Sequence, residues 1–154
     1  MSSTVEYAVM ALGVRDIIVC GHSGCGAMKA VANPESLAGM PNVAAWLNHS
    51  DAAQKVVADA YHGLEEDDRV RAISLENVVA QLAHLRTHPS VASGLARGEI
   101  SLHGWFVDIH AGQVLGLDGE TGRFIVMRED QPLPVAVPAA HRLAADFDKL
   151  EAAE

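Results

Sequence analysis

Several kinds of residue are scarce in this chain, and each scarcity excludes a class of protein. Cysteine occurs only twice, which excludes a disulfide-stabilised secreted scaffold and predicts a reducing, cytoplasmic setting. No apolar run is long enough to span a bilayer, and no signal-peptide pattern opens the chain. Lys and Arg number 11 against 20 Asp and Glu, a balance that argues against nucleic acid or an anionic membrane as partner.

The remaining composition is typical of a globular protein. Hydrophobic residues make up 49% of the chain and charged residues 20%. A length of 154 residues fits one domain that can bury its own core. No repeat, low-complexity tract or internal linker divides the chain. We therefore expect a single domain over residues 1–154.

Hydrophobic periodicity predicts an α/β order of elements. Apolar residues recur at helical spacing through most of the first hundred residues, and the pattern changes to short strands and turns after Ile100. The predicted helices run from the capping box at Ser3 to about Leu12, and over 24–32, 43–61, 68–87, 90–97 and 139–151. The predicted strands cover 14–21, 102–109, 113–117 and 123–127.

The first strand carries an unbroken apolar run, Ile17-Ile18-Val19. Such a run without alternation predicts a strand covered on both faces, as in a parallel sheet, with Cys20 packed in the core. Only this one strand precedes the helices, whereas a doubly wound sheet needs more strands. We therefore expect an α/β fold whose N-terminal portion is absent.

The loop that follows this strand carries the most chemistry. In Cys20-Gly21-His22-Ser23-Gly24-Cys25-Gly26, an imidazole and a thiol stand three positions apart at the end of a strand. Imidazole and thiolate are the ligands that zinc prefers, and sites in α/β folds lie at strand ends. His22 and Cys25 are therefore candidate metal ligands, although two ligands do not close a tetrahedral site. The alternative is a packed histidine beside a buried free cysteine.

A second interpretation of the same loop makes Ser23 a nucleophile. Gly21-His22-Ser23-Gly24-Cys25 nearly matches the G-x-S-x-G elbow of α/β-hydrolases. Asp108 and either His110 or His141 follow in a suitable order for a triad. Cys25 stands where the elbow needs glycine, however, and the upstream sheet of such an enzyme has no counterpart. The metal interpretation is therefore the stronger one.

Taken together, the motifs resemble those of β-class carbonic anhydrases. The resemblance runs in order from Thr4 to about Val126. It rests on Glu6-Tyr7-Ala8-Val9, the segment from Ile17 to Lys29, Glu76-Asn77-Val78, Leu85-Arg86-Thr87-His88-Pro89, Leu102-His103-Gly104-Trp105 and Asp108-Ile109. It implies a parallel-sheet carbonic anhydrase-like core with flanking helices.

The resemblance also implies a function, the zinc-dependent interconversion of carbon dioxide and bicarbonate. The family holds zinc with two cysteines and one histidine, and His22 and Cys25 match the second half of that set. The first cysteine belongs to a Cys-x-Asp-Ser-Arg motif, which this sequence does not contain. The aromatic hydroxyl that some members use in bicarbonate regulation is also missing, since Val107 follows Trp105-Phe106.

The missing motif leaves two functional hypotheses open. In one, the chain is a carbonic anhydrase whose incomplete site is completed by another polypeptide or by an unusual ligand. In the other, it is a catalytically inactive relative that acts as an oligomeric or partner-binding module. Both predict a homodimer or a larger homo-oligomer, because uncovered sheet edges around Ile17 to Val19 favour self-association.

Overall fold

The fold places one long helix across a four-stranded sheet. The structure is a computed structural model that describes residues 2–137. Short 3-10 turns lie at Pro34–Leu37 and Asn48–Ser50. The helices and strands in this part of the chain are α1 (Ser2–Met10), β1 (Asp16–His22), α2 (Gly26–Ala32), α3 (Pro41–Leu47), α4 (Asp51–Ala60), α5 (Glu66–Arg86), α6 (Pro89–Ala96), β2 (Ser101–Asp108), β3 (Gln113–Asp118) and β4 (Arg123–Val126).

Most of these elements begin and end within about two residues of the predicted positions, because their end signals are local. Gly13, at a φ of 67°, follows the end of α1, and a proline opens both α3 and α6. The acidic first turn of α5 and the basic residues of its last turn match the helix dipole. The predicted helix over 139–151 lies outside the described residues.

The prediction of one helix over 43–61 is wrong. The chain instead forms α3, the 3-10 turn at Asn48–Ser50 and α4. At the interruption, Gln81 Nε2 of α5 donates a hydrogen bond to the carbonyl of His49 at 3.0 Å. A side chain from a distant helix thus satisfies a carbonyl in the interrupted segment, which the local spacing of apolar residues does not reveal.

The sheet combines one parallel pair with an antiparallel meander. Its strand order is β1-β2-β3-β4. β1 and β2 are parallel, with Asp16 opposite Ser101 and His22 opposite Val107. β2, β3 and β4 follow one another as antiparallel neighbours. A parallel pair needs a crossover connection, and helices α2 to α6 supply it.

Helix α5 covers one face of the parallel pair at close range. A Cβ atom at Gly21 would lie 2.9 Å from Val78 Cγ2, and one at Gly104 would lie 2.9 Å from Leu82 Cδ1. A side chain at either position would force Val78 or Leu82 to shift, so glycine allows α5 to pack close to the sheet. Two clusters of buried apolar residues flank this contact, one among α2, α4 and α5 and one among α5, α6, β2 and β3.

Among residues 2–137 nothing covers the opposite face of β1, so the prediction that both faces are covered is wrong for the part of the chain that the structure describes. Exposure alternates along the strand, and Ile18 is 45% exposed. Cys20, predicted in the core, is an exposed free thiol. The apolar run is nevertheless tolerated, because Ile17 and Val19 pack toward α5 and the neighbouring cluster. Composition alone does not tell whether a second helix lies over a strand.

The chain after β4 partly covers the open face at β2. His103 is 7% exposed, and its Nε2 lies 2.9 Å from Asp16 Oδ1. Its Nδ1 lies 3.4 Å from the carbonyl oxygen of Pro134. Val137 and Leu102 exchange two backbone hydrogen bonds of 3.0 Å. The segment over 127–137 therefore packs on β2 and β3 rather than on β1.

Within residues 2–137, no helix combines the length and the apolar character that crossing a membrane requires.

We predict that Gly104→Ala destabilises the protein by about 1–3 kcal/mol, because the added methyl group overpacks the contact between α5 and the sheet. Chemical unfolding of both proteins measures this difference. Gly39→Ala is the matched control, since a Cβ there meets no atom within 4 Å. Equal losses in the two variants would contradict the close approach at Gly104.

Candidate metal centre

His22 is the last residue of β1, and its ring is exposed. Its Nδ1 lies 3.0 Å from the carbonyl oxygen of Ser23. Because a carbonyl oxygen can only accept, this contact requires the proton on Nδ1. The lone pair of the neutral ring is then on Nε2, which is free to bind a metal.

Ser23 ties the loop to the end of β2. Its backbone N–H donates to the carbonyl of Val107 at 2.9 Å. Its hydroxyl oxygen accepts a hydrogen bond from the backbone N–H of Ile109, also at 2.9 Å. These bonds hold the residue directly after His22 in place, so the serine positions the loop.

Cys25 lies at the start of α2, after a turn through Gly24. Gly24 has a φ of 67°, a value that glycine adopts without strain. The carbonyl of Cys25 accepts the first helical hydrogen bond, from Lys29 N at 3.0 Å. The residue is half-buried against the cluster of Met28, Val31 and Ile73. Its thiol is free.

The two predicted ligands thus lie on one strand–loop–helix connection, and the structure adds no third ligand to them. Among residues 2–137, no three His, Cys, Asp or Glu side chains come together in a group able to hold a metal ion. Cys20 lies two residues before His22 and is exposed like it. His103 is bound to Asp16 instead. This part of the chain therefore offers donor atoms for a partial site.

An ion pair between Arg71 of α5 and Asp108 of β2 borders the loop. Arg71 Nη1 donates to Asp108 Oδ2, and the guanidinium carbon lies 4.9 Å above the ring centre of Phe106. Asp108 Oδ1 also accepts the backbone N–H of Ala111 at 3.1 Å. The pair holds the turn that contains Ile109, to which Ser23 is bound. Arg71 is 37 residues from Asp108, and no local pattern in the sequence points to it.

These contacts lower the pKa of the Asp108 carboxyl below its ordinary value of 3.8. The largest cause is the hydrogen bond from Arg71, and the next is the backbone bond from Ala111. Both favour the charged carboxylate. Only 14% of the Asp108 side chain is exposed, so water screens the pair only in part.

The hydrolase interpretation receives no support from these contacts. The hydroxyl of Ser23 contacts a backbone amide, and the proposed acid, Asp108, is bound to Arg71. Of the two candidate bases, His110 has an exposed side chain, and His141 lies outside the described residues. The contacts of Ser23 therefore position the loop and do not form a triad among the described residues.

A family model and the sequences of known relatives indicate the same family for this chain. A family model described as carbonic anhydrase matches residues 1–114. A carbonic anhydrase of Pseudomonas aeruginosa is 49% identical over 129 residues, which are 84% of this chain and 58% of the relative. Carbonic anhydrase 1 of Escherichia coli O157:H7 is 44% identical over 145 residues, which are 94% of this chain and 65% of that protein.

Solved structures agree with the sequence relatives. The structure of the beta-carbonic anhydrase CcaA matches with a TM-score of 0.79 and 39% identity, over 90% of this chain and 60% of that one. A tetrameric beta-carbonic anhydrase from Sordaria macrospora matches with a TM-score of 0.68 and 29% identity, over 75% of this chain and 58% of that one. The chain thus spans less than two thirds of the proteins it matches.

We predict that Asp108 stabilises the folded protein more at neutral pH than at acidic pH. Because its pKa is lower in the folded state, the carboxylate stabilises the fold above its unfolded pKa and loses this effect as pH falls through the folded pKa. Urea unfolding at several pH values compares Asp108→Asn with the unsubstituted protein. The difference between them should be largest near neutral pH and shrink on acidification.

Asp59→Asn serves as the control for this series, since Asp59 is 59% exposed and pairs with the exposed Lys55. Its effect on stability should stay close to zero throughout. A difference for Asp108→Asn that grows as the pH falls would contradict the assignment.

Proposed function

Because this chain belongs to the carbonic anhydrase family, in its β class, we propose that it serves the reversible hydration of carbon dioxide to bicarbonate and a proton, with His22 and Cys25 as ligands of a zinc ion. One observation carries the proposal: relatives named carbonic anhydrase match more than four fifths of the chain. The His22–Cys25 loop, with its imidazole and its thiol, lies in the segment that the carbonic anhydrase family model matches.

The donor atoms of the loop fit zinc. The contact between Nδ1 and the Ser23 carbonyl leaves Nε2 of His22 available, and metal-bound histidines typically donate their other N–H to such an acceptor. The thiol of Cys25 is free and accessible in part. When bound at such a site, zinc lowers the pKa of a coordinated water to about 7 and so provides hydroxide at neutral pH.

The chain's own residues position these donors. Ser23 binds the loop to Val107 and Ile109 through two hydrogen bonds. The ion pair of Arg71 and Asp108 supports the same turn. The backbone next to His22 is thereby held in place, and a positioned ligand loses little conformational freedom when it binds a metal.

Two of four zinc ligands come from His22 and Cys25, so the rest must come from water and from a protein group outside this pair. In our proposal that group lies outside the described residues, and the protein assembles as a homo-oligomer. Tetrameric relatives exist among the matched structures. A cytoplasmic location is part of the same proposal, because two free cysteines suit a reducing compartment.

A second candidate function is that of an inactive relative which binds partners or copies of itself. The observation in its favour is that no third ligand joins His22 and Cys25 within the described part of the chain. The zinc content of the protein and its rate of carbon dioxide hydration separate the two candidates.

We predict that the purified protein contains about one zinc ion per chain, and that His22→Ala and Cys25→Ser each reduce this content at least about tenfold, since each removes a direct ligand. Elemental analysis after gel filtration measures it. His110→Ala and Cys20→Ser are matched controls, because both residues are exposed and outside the proposed pair. Equal losses from Cys20→Ser and Cys25→Ser would show that the wrong sulfur has been assigned.

We further predict that carbon dioxide hydration follows the zinc content across these proteins. Stopped-flow measurement with a pH indicator should show activity in the unsubstituted protein and the two controls, and loss of activity in His22→Ala and Cys25→Ser. Hydration that survives His22→Ala would contradict the zinc assignment. Bound zinc with no hydration would favour the inactive relative.

A further inference from the structure

Lys29 is the only Lys, Arg, Asp or Glu between Asp16 and Glu35. This stretch of the chain also contains both proposed zinc ligands, His22 and Cys25. The side chain of Lys29 is exposed, and no carboxylate of residues 2–137 lies within ion-pair distance of it. The segment of the candidate metal centre thus carries a single charged side chain, and that side chain is a cation able to attract an anion.

Helical geometry places Lys29 beside Cys25. The backbone N–H of Lys29 donates to the carbonyl of Cys25 at 3.0 Å, so the two residues are one helical turn apart. At about 100° per residue, Lys29 lies about 40° from Cys25 around the helix axis. The buried Met28 and Val31 lie in the other direction from Cys25. Lys29 therefore flanks Cys25 on its exposed side, and the tilt of helical Cα–Cβ bonds directs its side chain back toward that residue.

The surface beside these two residues has room for a small ligand. Gly26 is the next position around the same side of α2, and a Cβ added to it would meet no atom of the described residues within 4 Å. The other cation that borders the centre, Arg71, is already bound to Asp108. Lys29 is thus the cation next to the candidate ligands that can still bind an anion.

The proposed reaction gives such a cation a purpose. It interconverts neutral carbon dioxide and bicarbonate, and bicarbonate is an anion. The protein carries 20 acidic residues against 11 Lys and Arg, a formal net charge of −9. A surface of this charge repels anions at long range, whereas a local cation in a cleft raises their concentration there. Carbon dioxide, which has no charge, is unaffected by either.

We propose that Lys29 binds bicarbonate at the candidate metal centre, with its ammonium group donating a hydrogen bond to an oxygen of the anion. This assignment rests on the proposed function and adds to it the side chain that recognises the charged substrate. Lys29 is not a zinc ligand, so zinc content does not depend on it.

The test is a titration of the purified protein with bicarbonate at fixed pH, followed by the backbone amide NMR shifts of residues 22–29. Lys29→Gln removes the charge and keeps a long polar side chain. It should raise the Kd about three- to tenfold, the size of effect that one exposed charge has on an ion in contact with it. Lys29→Arg keeps the charge and should retain most of the affinity.

Lys55→Gln is the matched control. It changes the net charge by the same amount, but Lys55 lies on α4 and pairs with Asp59, so the Kd should stay unchanged. The difference between Lys29→Gln and the unsubstituted protein should also shrink when NaCl is raised from about 0.01 M to about 0.15 M, because salt screens exposed charges. A structural defect in the loop would persist at both salt concentrations.

Four outcomes would overturn the proposal. These are no bicarbonate binding by the unsubstituted protein, an unchanged Kd in Lys29→Gln, equal weakening by Lys55→Gln, or loss of zinc from Lys29→Gln. Failure of the proposed function has a different signature, namely an unsubstituted protein that lacks zinc or does not hydrate carbon dioxide. Hydration of carbon dioxide together with normal bicarbonate binding by Lys29→Gln would refute the role of Lys29 alone.

Discussion

The close approach of α5 to the parallel pair is the constraint on which the rest of the structure depends. Gly21 and Gly104 leave no side chain between the helix and the two strands, so Val78 and Leu82 pack directly on the sheet. The crossover from β1 to β2 runs through this helix, and the contact therefore sets the relation between the strand ends. The loop after β1 and the turn after β2 meet because of it, and Ser23 binds Ile109 at that meeting point.

The same helix supports the candidate metal centre in a second way. Arg71, one residue after Val70 of the buried core cluster, reaches across Phe106 to Asp108. Helix packing thus fixes an ion pair, the ion pair fixes a turn, and the turn holds the loop of His22. His22 ends β1, and Cys25 directly precedes α2 and packs against the buried cluster of that helix. The fold contributes the position of the donor atoms at this centre.

Within residues 2–137, the two faces of β1 differ. Helix α5 covers one face, and the segment over 127–137 lies over β2 and β3 on the other. Alternate side chains of β1, among them those of Ile18 and Cys20, are therefore exposed. His22 ends the same strand, so one donor of the candidate metal centre belongs to this exposed series.

Local patterns in the sequence determined the elements, the family and the candidate ligands. Gly13, the prolines before α3 and α6, and the His22-Ser23-Gly24-Cys25 loop act through their neighbours in the chain, and such signals are readable without a fold. Only the tertiary structure decided which faces are covered and which distant groups meet. The run Ile17-Ile18-Val19 does not reveal that α5 lies on one side alone, which is why Cys20 is exposed rather than buried. Nor does it reveal that Gln81 binds His49 or that Arg71 binds Asp108, because contacts across 32 and 37 residues depend on how helices pack, a property of the whole chain.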